Sequence, residues 1–273
     1  MEERVERPKG EQAVRWLLKE GLTSPLFAPA MAVGQLVRPL LPASLKNKVP
    51  APAGARAKLW PQREHPRKVL MLMGCVQPAM MPNINSATAR VLDAAGIQTL
   101  VADGAGCCGA IRTHLNDAEG GLADMRRNID AWWPLVEGLT SNGTVEAIVM
   151  NASGCGATVK EYGHALAHDP AYAERARRIA ELTRDLSELL PALVPALKPR
   201  VVPPPEATRL AFHPPCTLQH GQQLRDRKLG HLAAREPQAI VSANIGCIQH
   251  LGSGTATPVK HWVEVLDEAL VLP

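Results

Sequence analysis

Two adjacent cysteines in a glycine-rich stretch are the most distinctive chemical feature of this chain. The stretch "GAGCCGA" (residues 104–110) holds Cys107 and Cys108, and the whole chain has only six cysteines in 273 residues. Neighbouring cysteines rarely form a disulfide with each other, because the ring they close strains the intervening peptide. The chain looks cytosolic, and cysteines of cytosolic proteins normally stay reduced. The doublet therefore indicates metal binding or thiol catalysis instead of a disulfide.

The other four cysteines each follow a short apolar run that ends in a Gly- or Pro-containing corner. The four segments are "VLMLMGCVQP" with Cys75, "AIVMNASGCGA" with Cys155, "LAFHPPCTLQH" with Cys216 and "AIVSANIGCIQH" with Cys247. The second and fourth segments share Ala-Ile-Val and a Gly-Cys after an Asn, which indicates an internal duplication. Each cysteine is therefore predicted to lie just beyond the end of a buried strand.

The pattern of apolar runs predicts an α/β fold with open, mainly parallel sheets and flanking helices. Short, nearly continuous apolar runs suit strands that are buried on both faces, and amphipathic stretches between them suit helices. Strands are predicted at 68–74, 97–104, 145–151, 208–214 and 238–244, and helices at 86–96, 121–138 and 171–190.

Proline-rich and basic stretches divide the chain into four parts. Residues 1–67 are predicted to form a helical arm and linker, and residues 68–195 a first α/β lobe. The proline-rich segment 196–206 is predicted to link that lobe to a smaller second lobe at 207–273.

The carboxyl ends of parallel strands meet at one edge of a sheet, which is where ligands collect in open α/β folds. Cys75, Cys107, Cys108 and Cys155 are therefore expected to converge in the first lobe. Four converging thiolates can hold a zinc ion or an iron–sulfur cluster. Because these cysteines are spread over strand ends and do not form two Cys-x-x-Cys knuckles, the pattern disfavours a structural zinc site.

The histidines near the cysteines have two interpretations. His213, His220 and His250 could donate hydrogen bonds to sulfur or serve as ligands, although such residues are more often capping or core histidines. Cys216 and Cys247 could equally be buried, apolar thiols without a ligand role.

Three further polar residues are expected to be structural. His261 lies near a helix start that Thr257 and Pro258 are predicted to cap. Asn151 and Asn244 end equivalent strands, where their amides could close turns or orient the cysteine loops.

Composition and charge narrow the function classes. Aromatic residues make up only 3% of the chain, so surfaces for base stacking are scarce and no nucleic acid partner is expected. Residues 1–68 carry 13 Lys/Arg against 6 Asp/Glu, and the remainder carries 17 against 20. This basic segment could be an ordinary solvated face or could favour an acidic partner or an anionic membrane surface. The polar N-terminus lacks a signal peptide pattern, so a cytoplasmic protein is expected.

The cysteine motifs together resemble a known family. Cys75, then Cys107-Cys108-Gly109, then Cys155-Gly156 is similar to the CCG or cysteine-rich domain of heterodisulfide-reductase-like iron–sulfur proteins. More narrowly, the chain resembles iron–sulfur subunits of glycolate oxidase (glycolate dehydrogenase). The segments that carry this second resemblance are "GCVQP", "CCGA", "NASGCGA", "HPPCTLQHGQQLR", "ANIGCIQHL", "TPVKHWVEVLDEAL" and "GQLVRPLLPASLKNKVP".

The resemblance implies a cofactor, partners and a location. It implies an iron–sulfur cluster of the [4Fe-4S] type on Cys75, Cys107, Cys108 and Cys155, with Cys216 and Cys247 as further cofactor-binding candidates. FAD would belong to partner subunits that oxidise glycolate or a similar 2-hydroxy acid, and electrons would continue to quinone or another carrier. The complex would be cytoplasmic, with peripheral contact to the inner face of the cell membrane.

The chain departs from the family pattern in three places, one of which is that its first repeat ends in Ser153-Gly154-Cys155 without the extra cysteine that many CCG domains carry two residues before the last. It lacks the ferredoxin-like Cys-x-x-Cys-x-x-Cys runs with which family members begin. Its second CCG repeat keeps Cys216 and Cys247 but lacks the Cys-Cys-Gly between them, as if about fifty residues were absent. Two alternative functions therefore stay open: a thiol–disulfide or heterodisulfide-type redox protein that uses the doublet, and a remnant of the family that folds without a cluster.

Overall fold

The computed structural model describes residues 8–42, 46, 49, 57–140, 142–202, 208–213 and 229–271. The helices are α1 Lys9–Thr23, α2 Phe27–Val37, α3 Gln77–Met80, α4 Asn83–Ala94, α5 Ala110–His114, α6 Ala118–Val136, α7 Ser153–Lys160, α8 Tyr162–Ala165, α9 Ala173–Leu182, α10 Leu186–Leu197, α11 Ile245–Gly252 and α12 Trp262–Ala269. The strands are β1 Arg67–Met71, β2 Ile97–Leu100, β3 Ala147–Met150, β4 Thr183–Asp185, β5 Leu210–His213, β6 Ala239–Ser242 and β7 Val259–His261.

The strands form two parallel sheets. The first sheet has the order β2-β1-β3-β4 and the second has the order β5-β6-β7. The central strands are buried on both faces, with Val69, Leu70 and Ile148 fully buried, because each strand is a continuous apolar run covered by helices. The predicted α/β class with parallel sheets and flanking helices is confirmed.

The long helix predicted at 171–190 is wrong. The structure ends α9 at Leu182 and forms β4, in which Thr183 pairs with Ile148 of the first sheet. A new helix, α10, then begins at Leu186, where Asp185 and Glu188 form a capping box. Helical spacing of apolar residues continues across the break, so periodicity alone did not reveal the buried strand between the two helices.

Three other boundaries differ from the sequence prediction. The strand predicted at 97–104 ends at Leu100, and a loop carries the chain to the cysteine doublet. An unpredicted strand, β7, pairs Val259 with Ile240, where Thr257 and Pro258 had been expected to cap a helix. The cap lies further along the chain, because His261 is the N-cap of α12.

The start of the proline-rich segment at 196–206 is packed against the body. Helix α10 continues to Leu197, which is buried, and a short 3-10 turn spans Lys198–Arg200. Val201 then forms an isolated antiparallel bridge with Leu270. The division of the chain into two lobes stays a prediction, and residues 203–207 lie outside the described part.

A buried ion pair joins the helices of the two sheets. Arg90 in α4 and Asp267 in α12 form a bidentate pair, with Nε–Oδ1 at 2.7 Å and Nη2–Oδ2 at 2.8 Å. Both residues are nearly fully buried, and Asn83 donates to Glu264 at 3.0 Å beside them. The same interface is apolar elsewhere, since one hydrophobic cluster combines Ile84 and residues of the first sheet with Ile248, Val263 and Leu270.

Helix α1 is docked on the body through its polar side. Lys19 pairs with Asp117 at 3.1 Å, and Glu20 pairs with Arg112 at 3.2 Å. Its apolar residues lie outward, with Val14, Trp16 and Leu17 each more than half exposed. Further exposed apolar residues lie just before α2, on α2 and just after it: Leu26, Val33, Leu36 and Leu40. An amphipathic helix normally buries its apolar face, so this arrangement leaves an apolar surface without a described partner. No helix in the described ranges is both long and apolar enough to cross a bilayer.

His261 ties the second sheet to the first at the edge where strands end. Its Nε2 lies 2.9 Å from the carbonyl oxygen of Asn151, and its Nδ1 accepts from the backbone N–H of Val263 at 3.2 Å. The ring is 1% exposed. Burial lowers the pKa of His261 to about 4, although hydrogen bonds to backbone and the Asp185 carboxylate act in the opposite direction. The ring is therefore neutral in the folded protein at pH 7.

We expect His261 to make the protein less stable as the pH falls. Its pKa is lower in the folded than in the unfolded chain, so the unfolded chain binds more protons below pH 6.5, and stability is lost from there down to about pH 4. Between pH 7 and pH 5 this histidine should cost about 2 kcal/mol of unfolding free energy. Urea unfolding of His261→Asn, in which asparagine can keep the cap, should show a correspondingly smaller loss. His168→Asn, at an exposed position, is the control. Equal losses in wild type and His261→Asn would contradict the prediction.

Candidate functional site

Three neighbouring strands deliver cysteines to the same edge of the first sheet. Cys75 follows β1, the doublet Cys107-Cys108 follows β2, and Cys155 is the third residue of α7, just beyond β3. The structure brings these four thiols together in a hydrogen-bonded chain, in which Cys75 contacts Cys107, Cys107 contacts Cys108, and Cys108 contacts Cys155. The side chains of the doublet are buried, and those of Cys75 and Cys155 are half-buried.

Hydrogen bonding between the thiols separates their pKa values. Cys107 accepts from Cys108 and Cys75, and these bonds hold the pKa of Cys107 well below its usual range. The pKa of Cys155 is lowered by the hydrogen bond from Cys108. Donation to Cys107, together with burial, raises the pKa of both Cys75 and Cys108. The hydrogen bonds thus favour the thiolate form of Cys107 and Cys155, and the thiolate is the form that binds metal.

Glycines allow the doublet to lie in a tight loop against α6. Gly104 and Gly109 have φ values of 86° and 93°, in the left-handed region that favours glycine. A Cβ atom at Gly109 would also lie 2.8 Å from the carbonyl oxygen of Gly121, closer than real Cβ contacts allow. The residue after the doublet is therefore restricted to glycine by both conformation and space.

Two buried side chains that the sequence analysis missed hold the doublet from behind. Asn128 Nδ2 donates to the carbonyl of Cys107 at 2.8 Å, and the Tyr162 hydroxyl donates to the carbonyl of Cys108 at 2.9 Å. A signal for Asn128 was present in the sequence, because it interrupts the apolar stripe of the predicted helix 121–138 between Met125 and Trp132. A polar residue in such a stripe needs a buried partner.

A second polar network supports the loop of Cys75. Gln77 lies two residues beyond this cysteine, and its Nε2 donates to Asn85 at 2.7 Å and to Asn151 at 2.8 Å. Asn151 also donates to the Thr88 hydroxyl at 3.0 Å. Asn151 thus orients a cysteine loop from a buried position, whereas Asn244 caps α11 by accepting from the N–H groups of its first turn.

A cavity of about 950 Å³ opens at the thiol edge, and a fifth cysteine lines it. Cys247 is the third residue of α11, which places it in the same helical position as Cys155 in α7. The loops of the two sheets touch here, since Ser153 donates through its N–H and its hydroxyl to the carbonyl of Ala243 at 3.3 and 3.2 Å. The sequence placed Cys247 in the second repeat, and the structure places it on the wall of the cavity that the four thiols of the first repeat also line. Cys216 lies outside the described residues.

The flanking histidines occupy different positions. His250 lines the cavity, and its buried Nε2 has no hydrogen-bond partner among the described residues. His213 is buried, with Nδ1 3.4 Å from the Ser242 hydroxyl. His220 lies outside the described part of the chain.

The donor set is sulfur-rich but is not arranged around a single point. Within the described residues, no three His, Cys, Asp or Glu side chains form a group that could hold one metal ion. The four thiols nevertheless lie close enough to influence one another, since Cys155 acts on Cys75 as well as on Cys108. Thiolates are the usual ligands of iron–sulfur clusters, in which separate iron atoms each take their own protein ligand.

Comparison with known proteins gives the family. The CCG cysteine-rich domain matches residues 69–160, which include Cys75, the doublet and Cys155. The chain is 41% identical over 318 residues to the glycolate oxidase iron-sulfur subunit of Escherichia coli (strain K12), with 99% of this chain and 74% of the relative covered. It is 32% identical over 124 residues to the probable glycolate oxidase iron-sulfur subunit of Bacillus subtilis (strain 168), covering 45% of this chain and 26% of that protein.

A more distant similarity covers nearly all of a third protein. The lactate utilization protein A of Geobacillus thermodenitrificans (strain NG80-2) is 22% identical over 251 residues, covering 73% of this chain and 98% of that protein. The alignment with the Escherichia coli protein is longer than the 273 residues of the present chain, so that relative carries residues inside the matched region that this chain lacks. Identity over almost the whole chain, together with the cysteine-rich domain at the thiol edge, shows that the chain belongs to the family of glycolate oxidase iron–sulfur subunits.

Proposed function

We propose that this chain is the iron–sulfur electron-transfer subunit of a 2-hydroxy-acid dehydrogenase complex of the glycolate oxidase type. A [4Fe-4S] cluster on Cys75, Cys107, Cys108 and Cys155 would accept electrons from a flavin on a partner subunit and pass them to an acceptor. The observation that carries the proposal is the group of four interacting thiols at one sheet edge. The names of the relatives in Escherichia coli and Bacillus subtilis support it.

The arrangement of the thiols favours a cluster over a single ion. A structural zinc ion needs four donors in a tetrahedron around one point, and the described residues offer no such group. Four cysteine thiolates are the usual ligand set of a [4Fe-4S] cluster, in which each iron atom takes one of them. When bound, the cluster would supply one-electron redox chemistry.

The protein's own contribution is to stabilise thiolates in a site that is lined largely by apolar residues. The doublet is buried, and the N–H groups of Gly109 and Ile111 donate to the sulfur of Cys107. Leu72, Ile111 and Met150 are among the apolar residues that line the cavity. Burial and hydrogen bonds to sulfur are the factors by which proteins set the potential of such a cofactor.

The doublet is less well placed for the alternative of a thiol–disulfide enzyme. The lowered pKa of Cys107, which results from hydrogen bonds from Cys108 and Cys75, favours a reactive thiolate. However, Cys107 and Cys108 are each only 3% exposed, so a disulfide substrate could not reach either sulfur without movement of the loop. We therefore prefer the role of ligand. Iron and sulfide in the purified protein would distinguish the cluster-bearing subunit from a cluster-free thiol–disulfide enzyme and from a cluster-free remnant.

The proposal includes partners and a location. We infer that FAD resides on partner glycolate oxidase subunits. We also infer that the complex works in the cytoplasm, where thiols stay reduced, since the five described cysteines are all free. We also infer peripheral contact with an anionic membrane surface. The apolar surface of α1 and α2 lies on the segment that holds the chain's basic excess, which is the combination that interfacial helices use.

Replacement of one doublet thiol should remove the cluster. In anaerobically purified Cys108→Ser, we expect iron and sulfide to fall at least about tenfold, because even the outer partners of metal ligands cost about 10–100-fold in affinity when they are removed. Cys247→Ser is the matched comparison. Cys247 lines the same cavity, but it is not among the four hydrogen-bonded thiols. It should keep most of the iron. Full iron in Cys108→Ser would remove the doublet from the ligand set, and equal loss in Cys247→Ser would extend the set to the second sheet.

Association with flavin subunits should be direct. We expect the purified chain to co-elute in size-exclusion chromatography with the flavin subunits of a glycolate oxidase, because an electron carrier must lie close to its donor. Free FAD, mixed in the same way, should elute apart from the chain. Separate elution of the chain and the flavin subunits at micromolar concentrations would reject the partnership.

The apolar surface of the arm should bind anionic lipid. The chain should co-sediment with vesicles of phosphatidylglycerol and phosphatidylcholine more than with vesicles of phosphatidylcholine alone. Leu17→Glu should lower the partition coefficient about tenfold or more, because burial of a leucine contributes about 1.5–3 kcal/mol. Leu139→Glu changes an even more exposed leucine outside the arm and should have no effect. Loss of binding in both variants, or no binding in wild type, would contradict the membrane contact.

A further inference from the structure

Three consecutive residues of the cysteine loop are held by two buried side chains, and Arg127 Nη2 also donates to the Cys107 carbonyl at 3.3 Å. The N–H of Gly106, the carbonyl of Cys107 and the carbonyl of Cys108 all bond to Asn128 or Tyr162. These two residues lie on different helices, Asn128 in the middle of α6 and Tyr162 at the start of α8. The loop is thus fixed from behind, on the side away from the cavity.

The hydrogen bonds of this network form a closed set. Asn128 Oδ1 accepts from Gly106 N–H at 2.8 Å, and its Nδ2 donates both to Cys107 and to the Tyr162 hydroxyl, the latter at 3.1 Å. Because the hydroxyl oxygen accepts from Asn128, its own proton is free to be donated to Cys108 at 2.9 Å. Every donor and acceptor of the two side chains has a defined role. Asn128 therefore sets the direction in which the tyrosine hydroxyl donates.

Packing fixes the tyrosine ring as well. Tyr162 and Asn128 are fully buried, and the ring of Tyr162 stacks on Trp132 with centroids 6.4 Å apart and an interplanar angle of 17°. Fully satisfied polar networks in a core favour a single arrangement. The hydroxyl therefore has one position relative to the loop.

The peptide that Tyr162 holds is also the peptide that donates to sulfur. The carbonyl of Cys108 and the N–H of Gly109 belong to one planar trans peptide, in which the two groups point in opposite directions. Tyr162 binds the carbonyl end, and the N–H end donates to the sulfur of Cys107. Gly109, with φ at 93°, permits this orientation. Rotation of the peptide would break both bonds together.

We propose that Tyr162, oriented by Asn128, is a positioning residue for the cluster site. It fixes the Cys108–Gly109 peptide so that the N–H group of this peptide donates to the sulfur of Cys107. This hydrogen bond tunes the redox potential of the bound cluster. This inference rests on the proposed function, because it assigns a role toward the cofactor to two residues that do not contact it. Hydrogen bonds to cluster sulfurs stabilise the reduced state of the cluster, which carries one more negative charge than the oxidised state. Their weakening shifts the potential to more negative values.

Tyr162→Phe tests the proposal, because it removes only the hydroxyl oxygen. Tyr172→Phe is the matched control, since Tyr172 is the other tyrosine of the chain and its hydroxyl bonds to Asp130 at an exposed site. Both variants would be reconstituted anaerobically, assayed for iron and sulfide, and titrated potentiometrically with detection by electron paramagnetic resonance. Tyr162→Phe should keep the iron content of wild type, with a more negative midpoint potential and an altered spectrum. Tyr172→Phe should match wild type in all three measurements.

The outcomes separate this inference from the proposed function. If wild type binds iron and sulfide and Tyr162→Phe has the same potential and spectrum, the positioning role is wrong while the cluster stands. If wild type binds no iron, the proposed function fails. Hydrogen exchange of the Gly109 amide in the apoprotein then decides the positioning role: faster exchange in Tyr162→Phe than in wild type and Tyr172→Phe supports it, and equal rates overturn it.

A second variant covers the case in which Tyr162→Phe does not fold. Asn128→Asp keeps the side-chain shape and can still accept from Gly106, but its carboxylate cannot donate to Cys107 or to the tyrosine hydroxyl. It should give the same direction of shift in potential, or the same faster exchange at Gly109 in the apoprotein. A potential and an exchange rate equal to those of wild type would overturn the proposal.

Discussion

The parallel pairing of β1 with a strand on each side is the constraint on which the site depends. Val69 of β1 lies opposite Thr99 in β2 and Ala147 in β3, so the three strands run in one direction in a fixed register. Their loops therefore leave the sheet at the same edge, and each loop carries at least one cysteine. If β2 were antiparallel, the doublet would lie at the other end of the sheet. A shift in register is resisted because a one-residue slip would exchange the side chains of β1 between two closely packed faces.

The register of the strands alone does not bring the four thiols together. The loops that carry them must also be held in particular conformations. Glycine at 109 permits a left-handed turn directly after the doublet, and Asn128 and Tyr162 hold the carbonyls on the side away from the sulfur atoms. On the side of Cys75, Gln77 and Asn151 perform the comparable task through buried amides. The site thus combines a sheet edge that gathers the thiols with interior polar residues that orient them.

Much of this arrangement could be predicted from the sequence, because it follows from local pattern. Continuous apolar runs identified five of the seven described strands, and the carboxyl-edge rule placed Cys75, Cys107, Cys108 and Cys155 near one another. The features that could not be predicted depend on contacts between distant segments. The break at Thr183 becomes evident only when that residue pairs with Ile148.

Two features of the site were hidden for the same reason. The position of Cys247 depends on how the second sheet packs against the first, and the role of Tyr162 depends on a contact across 54 residues of sequence. Asn128 is different, although the sequence analysis missed it. An amide within an apolar helical stripe indicates a buried hydrogen-bond partner, and this signal is present in the sequence alone.

The pair between Arg90 and Asp267 has a consequence for the order in which the protein can be completed during synthesis. Arg90 lies in the first third of the chain, whereas its carboxylate partner is on the last helix, α12. Removal of one member of a buried ion pair costs about 3–5 kcal/mol, because the remaining charge is left uncompensated. A nascent chain that has emerged only as far as β4 therefore carries an unpaired guanidinium in what becomes its interior. The apolar cluster around Ile84 also remains open until α11 and α12 leave the ribosome. The N-terminal sheet and its thiol edge thus reach their final packing only when the C-terminal helices have been released.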